Sequence, residues 1–456
     1  MILNLTVLVD YFNENYVGIP GIPLIRGDEP AGVWVASVAD ARNLLHTITW
    51  RLEMFRRIEA SGYRCLRSVK QSINPFEILI GSNASGKSTF LDVIAFLGTL
   101  VSGGLEAAVE QRTANFHDLV WGRDADRFSL AVEAVIPEDR RFVLSIPPID
   151  FVASDRIRYE VGVRIDVSTE KLEIEKERVM VYRAGVGLPP SETEILRRPA
   201  FSSSSPGMLP GPPSVELRSE TSNRVFQREI HRGYSSLPPD TDFPATAWLR
   251  EHLRAGIKPV ALDNRELRKP SPPAMSDASE WSGAFLARSV AQLKSRNAGR
   301  FDAWLSHVRT VLPDIKDIRT VVREDDRHRY VVIGYENGVS VPSWMVSDGT
   351  LRLLALTLLA YAPDFNGVYL IEEPENGVHP AAVQAIYESL SSVYEGQVLI
   401  ASHSPVLLSL AKPEQLLCFI KASDGTQIVR GSEHQALRDW QGEVSLGTLA
   451  ATGILG

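Results

Sequence analysis

The stretch Gly81 to Ser88, GSNASGKS, narrows the fold of this chain more than any other segment. It fits the pattern G-x-x-x-x-G-K-[ST] and lies between a short apolar run, Phe76 to Ile80, and a segment with apolar residues at helical spacing. A glycine-rich turn from strand to helix aims backbone N–H groups and a positive helix end at one spot, where a phosphate can be held. Gly81 and Gly86 let the backbone wrap, Lys87 reaches the terminal phosphates, and the Ser88 hydroxyl is a magnesium ligand. A chance match in 456 residues is on the order of one in a hundred at ordinary Gly, Lys and Ser/Thr usage.

A second stretch, VYLIEEPENGVHP, poses a charge problem. Val368 to Ile371 read as one buried strand that runs directly into Glu372 and Glu373, with Glu375 one proline later. Carboxylates packed together at a strand tip need a cation. Magnesium held between phosphates and Ser88 supplies it: Glu372 partners the metal through water, and Glu373 orients or deprotonates an attacking water. Further along, VSDGTLRLLAL places Ser347 and Gly349 at a helix N-terminus, a second anion-binding device. One phosphate loop does not need two such devices, which fits Ser347 capping a γ-phosphate held by another subunit. VLIASHSPVLL then ends a strand with His403, placed to sense or polarise that phosphate.

Strands and helices alternate around these motifs, with the chemistry at strand ends, the pattern of a mostly parallel α/β sheet. Residues 1–53 are a poorly patterned addition ahead of Met54, either from an upstream translation start or a small strand-rich appendage. Between about 151 and 328 the texture changes. RIRYEVGVRIDV and KLEIEKERVMVYRA alternate with period two and predict antiparallel strands, and Pro, Ser and Gly near 199–214 predict a flexible loop. EWSGAFLARSVAQLK and AGRFDAWLSHVRTVL predict helices, and no sustained heptads predict a long coiled coil. The expected division is thus 1–53, an N-lobe 54–150, an inserted α+β lid or subdomain 151–328, and a C-lobe 329–456.

Charge bears on partners. The chain carries 48 basic and 56 acidic residues, a net of −8, which excludes coating nucleic acid by bulk charge. Residues 151–300 alone hold 23 basic against 19 acidic, or +4, so a DNA contact through that segment stays open, with Arg224, Arg228 and Arg232 as candidates. Cys65 and Cys418 are far apart and unlike metal-ligand spacing, and no apolar run approaches a membrane span. A cytoplasmic setting is expected.

In order, GSNASGKST, VSDGTLR, LIEEPENGVHP and ASHSP resemble the Walker A, signature, Walker B with D-loop, and switch-histidine motifs of ABC-type ATPases. The resemblance covers about 54–150 and 329–456. It is closer to the soluble RecF/SMC-like branch and to the AAA family ATPases of bacterial anti-phage defence operons, including OLD-family enzymes. It implies an ABC-type P-loop ATPase head, a mixed sheet flanked by helices. It implies ATP and Mg2+ as cofactors, with nucleotide contacts from Asn83, Ala84, Ser85, Gly86, Lys87, Ser88 and Thr89. Glu372 would assist the metal, Glu373 would be the catalytic glutamate, Asn376 would lie in the D-loop, and Ser347 and Gly349 would act in trans. Arg352 matches an arginine that couples the signature helix to the nucleotide site, or is a helix-surface arginine. Partners implied are a second copy of the chain, as a homodimer or higher oligomer, and a separately encoded effector such as a nuclease. Two features depart from the pattern. Glu372 stands where aspartate is usual, and Gln111 is the only nearby candidate for a Q-loop glutamine. The spacing from Gly81 to Ser347 and the missing coiled coil disfavour transporter and cohesin-like architectures. A RecF-like DNA repair factor and a nucleotide-bound scaffold with little turnover are the competing readings.

Overall fold

The computed structural model describes residues 55–141, 143–144, 152–183, 193–198, 214–222, 224–239, 242–273, 285–362, 365–393, 396–438 and 445–452. All fall in one unit, Thr47–Gly456. The expected extension 1–53 and the Pro/Ser-rich loop at 199–213 lie outside the described residues.

The strands begin with β1 (Phe55–Tyr63), β2 (Leu66–Ser72), β3 (Phe76–Gly81), β4 (Arg127–Val135), β5 (Val143–Leu144) and β6 (Val152–Ala153). The middle of the chain gives β7 (Arg156–Asp166), β8 (Lys171–Tyr182), β9 (Thr193–Arg198), β10 (Ser214–Arg218), β11 (Val225–Glu229) and β12 (Ile257–Val260). The last part gives β13 (Ile315–Val322), β14 (Arg329–Tyr335), β15 (Ser340–Pro342), β16 (Val368–Glu372), β17 (Gln397–Ala401), β18 (Leu416–Ala422) and β19 (Gly425–Arg430). The principal helices are α1 (Lys87–Gly103), α2 (Pro244–Ala255), α3 (Leu286–Arg296), α4 (Ala298–Val311), α5 (Asp348–Leu358) and α6 (Pro380–Ser391).

Two sheets dominate. One has six strands in the order β12-β16-β17-β3-β18-β19. Its first five strands are parallel, and only β19 returns antiparallel. Parallel strands must be joined by crossovers, which explains why apolar runs such as VYLI and QVLIA alternate with helices in the sequence. The other sheet is antiparallel, with eight strands ordered β11-β10-β9-β8-β7-β4-β1-β2. Within residues 151–328, expected as an inserted subdomain, β13 pairs with β14 in a separate three-stranded sheet, and the other long strands join the two main sheets. β7 to β11 extend the sheet begun by β1, β2 and β4, and β12 edges the parallel one.

α1 lies between the two sheets. Phe90, Leu91, Val93, Ile94, Phe96 and Leu97 are all buried in one core with Phe55 and Ile58 of β1 and Leu399, Leu417 and Phe419 of the parallel sheet. A helix apolar nearly all round belongs between two layers. At ~1.5–3 kcal/mol per buried large side chain these residues contribute on the order of 10 kcal/mol, and Phe96→Ala alone costs about 3–5 kcal/mol. The opposite face of the parallel sheet packs Ile78, Ile371 and Ile400 against Leu353 and Leu356 of α5 and Ile386 of α6. A third core joins α3 and α4 to β13 and β14 and to Leu351 and Leu354 of α5. Both helices predicted from sequence in this region form, and the hairpin around Asn337-Gly338 pairs β14 with β15. Among the described residues α1 is the longest helix, at 17 residues, so no coiled-coil arm is present there. No described helix is long and apolar enough to cross a membrane.

The polar face of the antiparallel sheet is a ladder of cross-strand ion pairs. Arg57 meets Glu133 at 2.9 Å, Arg158 meets Glu59 at 2.8 Å and Glu160 at 2.7 Å, and Lys176 meets Glu160 at 2.5 Å. Arg178 pairs with Glu194 at 2.5 Å. Each arginine and lysine here faces a carboxylate on its own or a neighbouring strand, the sheet's counterpart of helical i,i+4 pairing.

Candidate nucleotide site

The parallel strands end at a cavity of about 830 Å3. β3 runs into the phosphate loop, where the chain turns through Gly81 (φ 145°), Ala84 (φ 60°) and Gly86 (φ 104°). A Cβ at Gly81 would sit 2.3 Å from the Phe419 carbonyl, and one at Gly86 would sit 2.7 Å from the Thr426 hydroxyl. Neither position can hold a side chain. Thr426 also donates from its hydroxyl to the Ser85 carbonyl at 2.8 Å. The β18–β19 ribbon thus backs the loop. That role escaped the sequence reading, because about 340 residues separate Thr426 from Ser85.

Lys87 is buried, and its Nζ donates to the carbonyls of Gly81 at 2.8 Å and Ser82 at 2.9 Å. Burial pulls its ammonium below the ordinary lysine range, against the opposing attraction of Glu373 and Glu372. The Ser88 hydroxyl donates to Glu372 Oε2 at 2.5 Å, bringing the loop and the acidic strand end together. Glu373 stands at φ 46°, unusual outside glycine, while its N–H still donates to the Ala401 carbonyl at 2.8 Å. That conformation turns the chain out of the sheet directly after the ladder ends. Asn376 donates from its amide to Glu373 Oε2, fixing the carboxylate. Among the described residues neither Glu372 nor Glu373 forms an ion pair with a basic side chain, and the buried Ser85 Oγ has no hydrogen-bond partner. Acceptors and a hydroxyl left in this state around a lysine suit a magnesium-bound phosphate chain.

Of the residues chosen from sequence, Asn83, Ala84, Ser85, Gly86, Lys87, Ser88, Thr89, Glu372, Glu373 and His403 line the cavity. Gly81, Ser347, Gly349 and Asn376 do not. Ser347 caps α5, its hydroxyl accepting from the Thr350 N–H at 3.2 Å, and Gly349 packs so closely on the D-loop that a Cβ would meet the Gly377 carbonyl at 2.9 Å. Gln111 is exposed, accepts from the Thr99 hydroxyl at 3.2 Å and is not part of the cavity lining. Arg352 is not a helix-surface arginine. It is 8% exposed and donates to the Leu262 carbonyl at 2.9 Å and to Asn264 Oδ1 at 3.3 Å.

Glu375, noted in the sequence only as a third acid, has a structural role of its own. Its Oε1 accepts from the Ser402 hydroxyl at 2.6 Å and from the His403 N–H at 3.3 Å, tying the turn after β16 to the end of β17. The remaining cavity wall was also missed. It comprises Arg64, Cys65, Arg112, Thr113, Asp118 and the segment Val120–Arg123.

A sequence profile of the family described as "AAA domain, putative AbiEii toxin, Type IV TA system" matches residues 77–409. The chain belongs to this AAA family. The match runs from within β3, ahead of the phosphate loop, to beyond His403, so all four motifs of this AAA ATPase family member fall inside it. No curated protein matches the chain. Among solved structures, an Smc head bound to the C-terminal winged-helix domain of ScpA aligns at 15% identity and TM-score 0.49, covering 82% of this chain and 97% of that one. An Smc head with an extended coiled coil, bound to the C-terminal domain of ScpA and derived from Pyrococcus furiosus, aligns at 12% identity and TM-score 0.45, covering 82% and 96%. The SMC head domain from Thermotoga maritima aligns at 9% identity and TM-score 0.36, covering 83% and 98%. The AAA chain is a mixed α/β protein whose phosphate loop sits at the end of a mostly parallel sheet. Membership in the family implies binding of ATP and, with it, magnesium.

Proposed function

We propose that this AAA family member is an ATP-hydrolysing switch that assembles by sandwiching ATP between two copies and controls a separately encoded effector. The observation that carries the reading is the Ser88–Glu372 hydrogen bond at 2.5 Å, with Lys87, Glu373 and His403 on the same cavity. Magnesium, when bound, would neutralise phosphate charge, and Ser88 and Glu372 are the residues to hold it. Lys87, poised on two loop carbonyls, exchanges them for phosphate oxygens. Glu373, fixed by Asn376, orients the attacking water and accepts its proton, and His403 hydrogen-bonds the terminal phosphate.

Self-assembly draws support from Ser347. Its position at the N-terminus of α5, outside the cavity of its own chain, leaves that anion-binding end available to another copy. Support for a role in anti-phage or toxin systems comes from the family description, which names a type IV toxin–antitoxin system. A RecF-like grip on duplex DNA has weaker support. Arg158, Arg164, Lys176, Arg178 and Arg232 of the mildly basic segment are already paired with carboxylates.

The deciding experiment is ATP turnover by the purified chain, with and without linear duplex DNA at near-physiological salt, beside Glu373→Gln. The expected result is slow turnover indifferent to DNA, with binding retained and hydrolysis lost in the variant. Equal turnover in Glu373→Gln and the parent overturns the role of Glu373. Strong stimulation by DNA replaces the effector switch with the repair reading.

A further inference from the structure

The phosphate loop and the acidic strand end account for two walls of the cavity, leaving Arg64, Arg112 and the 113–123 segment without a task. That third wall is built firmly. The Arg64 N–H donates to the Leu119 carbonyl at 2.9 Å, and Tyr63 bridges to Val120, so the β1–β2 turn and the 113–123 segment are stitched together. The Thr113 hydroxyl donates to Asp118 Oδ2 at 2.9 Å, and Arg123 pairs with Asp118 Oδ1 at 2.9 Å across the turn that presents Trp121. Asp92, one turn beyond Ser88 on α1, accepts from Tyr63 at 2.6 Å, pairs with Arg112 at 2.7 Å and pairs with Arg64 at 3.3 Å.

These contacts decide what the wall can recognise. Arg64 and Arg112 share Asp92 and Arg123 takes Asp118, so each guanidinium is already engaged and one net positive charge is spread over the wall. What it presents is flat surface: the half-buried indole of Trp121 and the guanidinium of Arg64, itself layered over the Tyr63 ring at 5.6 Å. A planar, weakly polar group binds such a surface by stacking. Tyr63, by contrast, is fully buried and spends its hydroxyl on Asp92, so it is not open to a ligand.

We infer that Trp121 and Arg64 form the nucleobase subsite of this cavity, with Trp121 stacking on the base of the nucleotide whose phosphates the loop holds. Asp92 and Asp118 are positioning residues that keep the wall in place. The inference rests on the reading of Gly81–Ser88 as a triphosphate-binding loop, and a ligand lacking the base separates the two.

The test is titration calorimetry of the full chain with magnesium plus ATP and with magnesium plus inorganic tripolyphosphate, for the parent, Trp121→Ala and Trp121→Phe. Loss of one stacking partner is expected to weaken ATP about ten- to a hundredfold in Trp121→Ala and less in Trp121→Phe. Tripolyphosphate should bind all three proteins alike, which also reports that the variants are folded. If Trp121→Ala binds ATP as tightly as the parent, or loses ATP and tripolyphosphate by the same factor, the subsite is overturned while the loop reading stands. A parent that binds ATP no more tightly than tripolyphosphate overturns it equally. If the parent binds neither, the loop reading fails and the subsite falls with it.

Discussion

The two sheets treat charge in opposite ways. On the antiparallel sheet acids and bases are matched across strands, as with Arg158 between Glu59 and Glu160. At the tips of the parallel sheet Glu372 and Glu373 stand together, and Lys87, the lysine that feels both, is occupied with loop carbonyls. The first arrangement is closed and satisfies itself. The second is an incomplete charge set that a metal and a phosphate chain complete. Charge that a protein leaves unbalanced at strand ends lining a cavity marks chemistry, and charge it balances marks architecture.

The sharpest way to break this contrast is Lys87→Ala, expected to weaken ATP binding by a hundredfold or more, on the order of 3 kcal/mol, as read by calorimetry. Retained affinity would mean that the open charge at the strand tips does not define the nucleotide site. Ser347→Arg is the next largest. It should abolish the ATP-dependent oligomer in size-exclusion light scattering while leaving nucleotide binding by the monomer within about twofold, since Ser347 lies outside its own chain's cavity. An oligomer that survives refutes the sandwich.

Arg158→Met probes the closed sheet. Its side chain is 18% exposed, so the loss should be about 1–2 kcal/mol of stability in urea, between exposed and buried pairs, with ATP turnover unchanged. A fall in turnover as large as in a loop variant would erase the distinction between the sheets.

The seam between the sheets gives the smallest and most pH-specific effect. His252 of α2 is buried against Phe55 of β1, with ring centroids 5.2 Å apart, and burial lowers its pKa from 6.5 to about 4. Below pH 6.5 the unfolded chain takes up a proton that the folded chain refuses. The stability this neutral histidine allows is therefore present above about 6.5 and lost as pH falls toward about 4. The stability difference between the parent and His252→Leu should shift against the parent by roughly 1–3 kcal/mol from pH 7 to 4.5. A constant difference across that range would mean that His252 is solvated rather than sealed in the seam.

The parallel sheet was largely readable because its strands are apolar runs bounded by glycine and acid, and its loop has a fixed residue spacing. Phe76 to Ile80 and Val368 to Ile371 appear as strands, each within a residue of its expected bounds, and the strand expected ahead of His403 forms as Gln397–Ala401. The third wall was hidden for the opposite reason. Arg64, Asp92, Arg112 and Trp121 sit at no common period and acquire meaning only when β1, α1 and the 113–123 segment meet. Glu375 was legible only as a third acid of the cluster, because its partners, the Ser402 hydroxyl and the His403 N–H, lie on a strand end 27 and 28 residues away. The period-two alternation after 151 gave the antiparallel pair β7 and β8, but not the sheet they join. The antiparallel pattern begins in β1 and continues past that point, because strand pairing follows hydrogen bonding rather than composition.

The backing of the phosphate loop by β18 and β19 has a consequence for how the protein comes into being. Every motif of the site has been synthesised once the chain passes His403, yet the loop has nothing behind Gly81 until Phe419 arrives, and nothing to receive the Ser85 carbonyl until Thr426 does. The antiparallel sheet can form early from near neighbours in the chain. The parallel one must wait for pairings hundreds of residues apart. A nascent chain therefore carries all the motifs before its phosphate loop is backed, and that backing is complete only once Thr426 is in place.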